Sequence, residues 1–427
     1  MPNRTQRPNI HPIRDIRLPE IEVITLDNQI PIYLINQGTQ PVIKLEIVFD
    51  AGRPFEHQAQ VGAVTAAMLR EGSARFNSFQ IAEKMDYYGS SLKIPFDMDT
   101  SSVVLYTLNK HFSEIFPVLE DLLLNPIFSP TAMEKYIARS IQKMEVEIAK
   151  TDVLAYRSIT EQIFGTQHPY GYNSSPENYH ALTRNDIIRH FEQFYHAGAC
   201  KVFISGKIDA SIIDIIQKGL GQIPNKGLIK ARPLPTLPES PQSLHLQQDN
   251  ALQTAIRLGT PLFKRAHPDY PALYFINTLF GGYFGSRLMS NIREDKGYTY
   301  NISSTLDCMR YDGCWLISSE VSNEFATATK EEIQRELNIL QNEYVEAEEI
   351  EMVRSYLMGV LLSMLDGPFN VSEVVKSLVI DEADLDFFEV LTKVCHEITP
   401  DQIQALSKRY FQPEMMWEVS VGPGVLK

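Results

Sequence analysis

An arginine and a tyrosine seven positions apart mark one stretch of this chain where chemistry could occur. The stretch begins with a glycine-rich run at residues 280–288 and continues into a predicted helix whose last turn holds Arg293. Gly297 is suited to end this helix, and a β-rich run begins at Tyr300. The glycines allow sharp turns or a close approach to another group. An arginine leaving a helix and a tyrosine entering a strand can converge on one polar atom.

Composition limits the kind of partner. The chain has 427 residues, is 44% hydrophobic and has a formal net charge of -14. We therefore expect a soluble globular protein without a nucleic-acid or anionic-membrane surface, since such surfaces need clustered Lys and Arg. The four cysteines are too scattered for a disulfide framework or a CxxC metal site, and we interpret them as buried thiols. The polar N-terminus and the lack of long apolar runs predict no membrane span and, by default, a cytoplasmic location.

The elements that would position this stretch repeat along the chain. A threonine-capped helix and the strand KVFISG close the first half, and a similar helix and the strand WEVSVG follow about 216 residues later. A proline-rich segment separates the two series. We therefore predict an α+β fold of two homologous halves related by internal duplication, each a mostly antiparallel sheet packed by helices. The predicted divisions are residues 1–224, a linker at 225–248, and residues 249–427; a chance match of two helix–strand endings is the alternative. Helical spacing also predicts one long helix over residues 129–164.

Several short motifs, in this order and spacing, resemble those of the pitrilysin/insulinase-type zinc metallopeptidases, in the short form similar to mitochondrial processing peptidase subunits. The motifs are Met68-Leu69-Arg70-Glu71-Gly72-Ser73, Asn125-Pro126, His168-Pro169-Tyr170-Gly171, Phe194-Tyr195, Ser205-Gly206 and the glycine-rich run. No single motif is specific, but together they cover nearly the whole chain.

The resemblance also locates a missing metal site. Active members carry H-x-x-E-H just before the first motif, where two histidines on one helix face hold Zn²⁺ and the glutamate activates water. This chain has Ala63, Ala66 and Ala67 there, and alanine can do neither. Glu147 resembles the third zinc ligand, although its spacing from Ala67 is a few residues longer than usual. One carboxylate cannot retain catalytic zinc, so we predict that the chain binds no metal and that Glu147 is a vestigial, solvated or ion-paired position.

The second half keeps what the resemblance implies is the carbonyl-binding pair. In the family, an arginine and a tyrosine at the separation of Arg293 and Tyr300 reach the scissile carbonyl, where they can stabilise the oxyanion. Alternatively, Arg293 pairs with a neighbouring acidic residue and Tyr300 is a core strand residue. In the preceding glycine-rich run, we predict that substrate contacts Gly281, Gly282 and Ser286.

This combination is similar to the non-zinc partner of a two-subunit peptidase. The chain alone is predicted to be inert and to act with a homologue that supplies Zn²⁺ and H-x-x-E-H, on peptides or unfolded polypeptides. Two alternatives remain open. One is a non-catalytic scaffold or peptide-binding protein of the same fold, and the other is a homodimer that sequesters peptides.

Overall fold

The computed structural model describes residue 13 and residues 16–424. The first half is built on a six-stranded sheet in the order β1-β2-β6-β3-β5-β4. Neighbouring strands in this sheet are antiparallel except β2 and β6, which are parallel. The strands are β1 (Glu22–Thr25), β2 (Pro31–Asn36), β3 (Val42–Phe49), β4 (Ser91–Lys93), β5 (Ser101–Leu108) and β6 (Cys200–Gly206).

Most helices of the first half pack on one face of this sheet and form its main core. They are α1 (Val61–Leu69), α2 (Ser78–Tyr87), α3 (Phe112–Leu124), α4 (Pro130–Ile148), α5 (Thr151–Phe164), α6 (Pro176–His180), α7 (Arg184–Phe194) and α8 (Ala210–Leu220). The single long helix predicted over residues 129–164 is wrong. Lys150 adopts an extended conformation (φ -84°, ψ 133°) between α4 and α5, so α5 can leave the first sheet.

The second half has a five-stranded sheet in the order β7-β11-β8-β10-β9. The strands are β7 (Ser243–Gln247), β8 (Gln253–Leu262), β9 (Thr299–Cys308), β10 (Gly313–Ser322) and β11 (Trp417–Gly422). The helices are α9 (Tyr270–Asn277), α10 (Ala326–Asn342), α11 (Ala347–Ser363), α12 (Pro368–Ile380), α13 (Phe387–Glu397) and α14 (Pro400–Tyr410).

The two halves have the same strand topology. If β1 is set aside, each sheet joins its own first, fifth, second, fourth and third strands in that order, and the first and fifth are parallel. The helix before each last strand begins with a capping box, at Thr183 in α7 and at Thr399 in α14. The predicted α+β fold of two similar halves is confirmed. Within the predicted linker, residues 243–247 form β7, the first strand of the second sheet.

One helix of each half packs on the sheet of the other half. Ile159 and Ile163 of α5 pack with Leu316 of β10 and Val419 of β11, on the face of the second sheet that is remote from its main core. Reciprocally, α12 packs on the corresponding face of the first sheet. The N-terminal arm also crosses over, since Ile16 is buried in the core of the second half. Apolar burial on both sheets therefore joins the halves.

Charged groups also connect the two halves, at an interface that we call the seam and that includes Asp50, Asp99 and Arg310. The Arg310 guanidinium pairs with Asp50 of the first half at 2.6 Å and with Glu382 at 2.7 Å, while its backbone N–H donates to Asp99. Lys44 is almost fully buried on β3, where it pairs with Glu46 at 2.6 Å and with Glu373 on α12. Buried charges of this kind are retained only when they are paired.

In the described part of the chain, none of the helices has both the length and the apolarity needed to span a lipid bilayer.

Candidate functional site

The positions that match the zinc motif lie on α1, a short helix that packs against α4 and α7. Ala66 faces the interior, and Ala63 and Ala67 are partly buried. Methyl groups cannot coordinate a metal, so these residues do not fit Zn²⁺. Among the residues that the structure describes, no three His, Cys, Asp or Glu side chains are grouped to hold a metal ion.

Glu147 lies at the end of α4 as a partly exposed side chain. Its two carboxylate oxygens accept hydrogen bonds from Lys150 Nζ at 2.9 and 3.0 Å. An exposed pair three positions apart contributes little to stability and needs no metal. The arrangement agrees with the interpretation of Glu147 as an ion-paired helix glutamate.

The glycine-rich run begins inside one π-helical segment and ends just before a second. Residues Thr278–Gly282 continue α9 as one, and Met289–Asp295, which carries Arg293, form the other. We predicted an ordinary α-helix at the second position. π-Helical turns are rare and occur often at functional sites, because the extra residue re-aims the side chains that follow. Gly297 ends the segment at φ +67°, as its predicted capping role requires.

The predicted substrate contacts of this run differ in accessibility. A Cβ on Gly281 would lie 2.7 Å from the backbone nitrogen of Ser304, so this glycine allows the π-helical turn to pack against β9. Ser286 is also fully buried, and its hydroxyl has no hydrogen-bond partner among the residues that the structure describes. Gly282, in contrast, is exposed. In this conformation, Gly282 is the only one of the three at the surface, and substrate contact by any of them stays a prediction.

Arg293 and Tyr300 lie next to each other at the edge of the second sheet. Arg293 Nε donates to the Tyr300 backbone carbonyl at 3.2 Å, which leaves the Tyr300 side chain free to project, 89% exposed, into solvent. Tyr300 is therefore not a core residue, contrary to the alternative. Arg293 Nη1 lies 3.7 Å from Glu294 Oε1, so the surface ion pair of the alternative is present, although it is too long for a strong hydrogen bond.

An aromatic residue that the sequence analysis overlooked completes this arrangement. The Arg293 guanidinium carbon lies 4.5 Å from the ring centroid of Phe284, and Phe284 is 58% exposed. Such a cation–π contact restricts the guanidinium while leaving its outer N–H groups available. The sequence did contain a signal for this contact, since Gly282 and Gly285 flank the aromatic residues Tyr283 and Phe284 in a loop.

The loop that carries Phe284 is fastened to α11. Arg287 makes a two-pronged pair with Glu349, with both hydrogen bonds at 2.7 Å, and Tyr283 stacks on Tyr356 at 4.6 Å. Burial lowers the pKa of Arg287, but the hydrogen bonds and charge of Glu349 outweigh it and raise that pKa. Because these contacts hold the loop against α11, Phe284 stays in place beside the Arg293 guanidinium.

Comparisons with known proteins agree with this structure. Residues 181–357 match the family described as "Peptidase M16 inactive domain". The chain is 21% identical to the Bacillus subtilis "Uncharacterized zinc protease YmxG", covering 81% of this chain and 85% of that protein. It is 23% identical to the Helicobacter pylori "Non-peptidase homolog YmxG", covering 63% and 65%. A crystal structure of a peptidase M16 inactive domain from Pseudomonas fluorescens superposes with a TM-score of 0.87 at 21% identity, covering 95% of this chain and 99% of the other.

The predicted resemblance to the M16 peptidases is confirmed. The chain is similar to a family described as inactive, and it has alanines at the positions of the zinc motif. This M16-like chain presents an exposed tyrosine beside a partly exposed arginine at the edge of its second sheet. What that pair does is a separate question from the resemblance.

Proposed function

We propose that this M16-like chain is the non-zinc subunit of a two-chain metalloendopeptidase. A homologous partner would supply Zn²⁺, its ligands and the glutamate that activates water. This chain would supply Arg293 and Tyr300 to hold the carbonyl of a peptide or unfolded polypeptide. The observation that carries the proposal is the exposure of Tyr300 beside an arginine whose ion pair with Glu294 is long, at 3.7 Å.

The chemistry of the two side chains suits this role. When water attacks a peptide carbonyl, negative charge develops on the carbonyl oxygen, and pre-positioned donors stabilise it. An arginine guanidinium offers several charged N–H donors, and a tyrosine hydroxyl offers one O–H donor. Phe284 and the Tyr300 carbonyl restrict the guanidinium before substrate arrives. Such pre-organisation reduces the cost of aligning the donor during the reaction.

The test combines purified chain with its zinc-bearing homologue and measures hydrolysis of a fluorogenic peptide. Neither chain alone should be active, and the mixture should be. Arg293→Ala should lower kcat about 10²–10³-fold while leaving assembly, measured by size-exclusion chromatography, unchanged. Tyr300→Phe removes only the hydroxyl and should also lower kcat.

Two exposed residues provide matched controls. Arg139→Ala on α4 and Tyr87→Phe on α2 make the same chemical changes at exposed positions in the first half, and both should leave kcat unchanged. Substantial zinc-dependent hydrolysis by this chain alone, or full activity of Arg293→Ala in the mixture, would refute the proposal.

The second candidate is a non-catalytic scaffold or peptide-binding protein, acting alone, as a homodimer or within another assembly. The three alanines on α1 favour it, because they remove every catalytic function of the first half. Peptide binding by the isolated chain, with no rate effect on a zinc homologue, would support this candidate over the split enzyme.

A further inference from the structure

A cavity of about 310 Å³ lies where α5 of the first half packs on the second sheet, beside the end of β9. Since one water occupies about 30 Å³ of liquid, the space suits a ligand of about ten non-hydrogen atoms. Neither Arg293 nor Tyr300 lines it, so the cavity is a separate site. Most of its walls are aromatic, aliphatic or thioether side chains from both halves, among them Met98, Tyr156, Phe164, Tyr170, Leu306 and Met309.

One carboxylate, that of Asp307, belongs to this lining. Asp307 on β9 pairs with Cys314 on β10, and directly paired residues project from the same face of a sheet. Cys314 lies in the core that α5 forms with the second sheet, so Asp307 also faces α5. Burial and the charge of Asp307 raise the pKa of Tyr156 on α5 to about 12, so its hydroxyl stays protonated beside the carboxylate.

Asp307 forms no ion pair within the described part of the chain. Burial raises the pKa of its carboxyl, and the opposing effect is a hydrogen bond from Thr305, two positions away on the same strand. A carboxylate has about four acceptor sites, so most of its hydrogen-bonding capacity is unused. A partly buried carboxylate without an ion pair is unfavourable, and a cation from a ligand would stabilise it.

The cations near this cavity are bound by other groups. Arg265 also lines it, but Arg265 Nε lies 3.2 Å from Asp381 Oδ2, and Arg265 Nη1 donates to Ser377. Arg53 and Arg257 lie outside the lining and donate to backbone carbonyls. The cavity therefore combines apolar walls with one negative charge that the protein leaves without a partner.

We propose that this cavity binds a guanidinium group on a short apolar stem, with the guanidinium on Asp307 and the stem among the aromatic and thioether side chains. A guanidinium can donate two parallel hydrogen bonds to a carboxylate and can stack on a ring such as that of Tyr156. It is also more weakly hydrated than an ammonium group, so it loses less hydration free energy on entering a partly buried site.

Two sources share this chemistry: a free alkylguanidine, and an arginine side chain of a polypeptide. The inference goes beyond the proposed function, because it requires neither a partner chain nor the carbonyl-binding pair.

Isothermal titration calorimetry of the full chain at neutral pH tests the proposal with two pairs of probes. Butylguanidine and butylurea represent the free source, and acetyl-Ala-Arg-Ala-amide and its citrulline analogue represent the polypeptide. At least one of the two guanidines should bind saturably at one site. It should bind at least about tenfold more tightly than its uncharged analogue, because charge-assisted hydrogen bonds are roughly twice as strong as neutral ones. The tighter guanidine identifies the source. If neither guanidine binds, or if the uncharged analogues bind as tightly, the proposal is wrong.

Two substitutions locate the binding. Asp307→Asn removes the charge and keeps the shape, so it should weaken binding of the guanidine at least about tenfold and leave butylurea unaffected. Asp214→Asn, at an exposed aspartate on α8, should change neither. Met309→Trp fills the cavity and should abolish binding, whereas Met415→Trp, at a position that is 43% exposed, should not.

Asp307→Asn keeps the test decisive if Met309→Trp does not fold, as judged by circular dichroism. Undiminished binding of the guanidine by folded Asp307→Asn or by folded Met309→Trp would overturn the assignment. Binding of butylamine as tight as that of butylguanidine would also overturn it.

Discussion

Replacing Asp381 by asparagine should stabilise this protein at neutral pH. The Asp381 side chain is 12% exposed and lies between α12 and the Arg265 guanidinium. Burial raises its pKa to about 6, although the charges of Arg265 and Arg310 and a hydrogen bond from Ser377 draw it down; the Asp99 charge raises it further. The ordinary value is 3.8, so the folded protein holds a proton on Asp381 over a pH range in which the unfolded chain has lost it.

The direction and size of the expected stability change follow from this difference between the folded-state and unfolded-state pKa. Because the folded-state pKa is raised, stability from this group is present below pH 3.8 and is lost as pH rises through about 6. A difference of about 2.2 pKa units corresponds to about 3 kcal/mol, and asparagine mimics the protonated acid. The free energy of unfolding should therefore increase by about 3 kcal/mol at pH 7.5 and by about half of that at pH 5.0.

Equilibrium urea denaturation followed by circular dichroism at both pH values measures this gain. Asp366→Asn, at an exposed aspartate just before the start of α12, serves as the control and should change little at either pH. A loss of stability in Asp381→Asn at pH 7.5, or a gain of the same size at both pH values, would refute the reasoning.

Three further predictions concern packing, thiols and the seam. Gly281→Ala should lower the free energy of unfolding by about 1–3 kcal/mol, because its Cβ would meet Ser304 at 2.6 Å. Gly359→Ala on α11, where no atom lies within 4 Å, should raise it by about 0.5–1 kcal/mol, and urea titration compares them. The four cysteines are buried, and burial raises the pKa of each thiol, so Ellman's reagent should label them only after unfolding. Arg310→Met should cost about 2–3 kcal/mol by leaving Asp50 with only Lys201, at 3.4 Å, and adding Asp50→Asn should recover part of that loss.

A different result in any of these three experiments would contradict the physical reason given for that prediction. A neutral Gly281→Ala would mean that the π-helical turn can move away from β9. Rapid labelling of Cys314 in the native state would mean that the halves separate often, since this residue lies in the core between α5 and the second sheet. An unchanged Arg310→Met would mean that apolar contacts alone hold the halves together.

Local signals in the sequence predicted much of the architecture. Thr183 and Thr399 begin equivalent helices through side chain–backbone hydrogen bonds that depend on residues only three positions away. The break between α4 and α5 was missed, because the helical spacing continues through Lys150 and only the second sheet gives α5 a reason to turn away.

The candidate site was predicted in part for the same reason. The separation of Arg293 and Tyr300 in sequence allowed their convergence, and the structure joins Arg293 to the Tyr300 carbonyl. Burial of Ser286 could not be predicted, since it depends on how a loop packs against distant elements. The contact of Phe284 with Arg293 was missed because it depends on the path of the backbone between two π-helical turns.

The sequence by itself determined what this protein lacks, because the methyl side chains of Ala63, Ala66 and Ala67 cannot bind a metal in any fold. It also determined the duplication, because capping and strand patterns are local and repeat. Only the tertiary structure decided which side chains are available: it exposed Tyr300, buried Ser286 and placed Arg265 against Asp381, 116 positions away. Accessibility and pairing of this kind arise from packing between distant segments, and no local pattern encodes them.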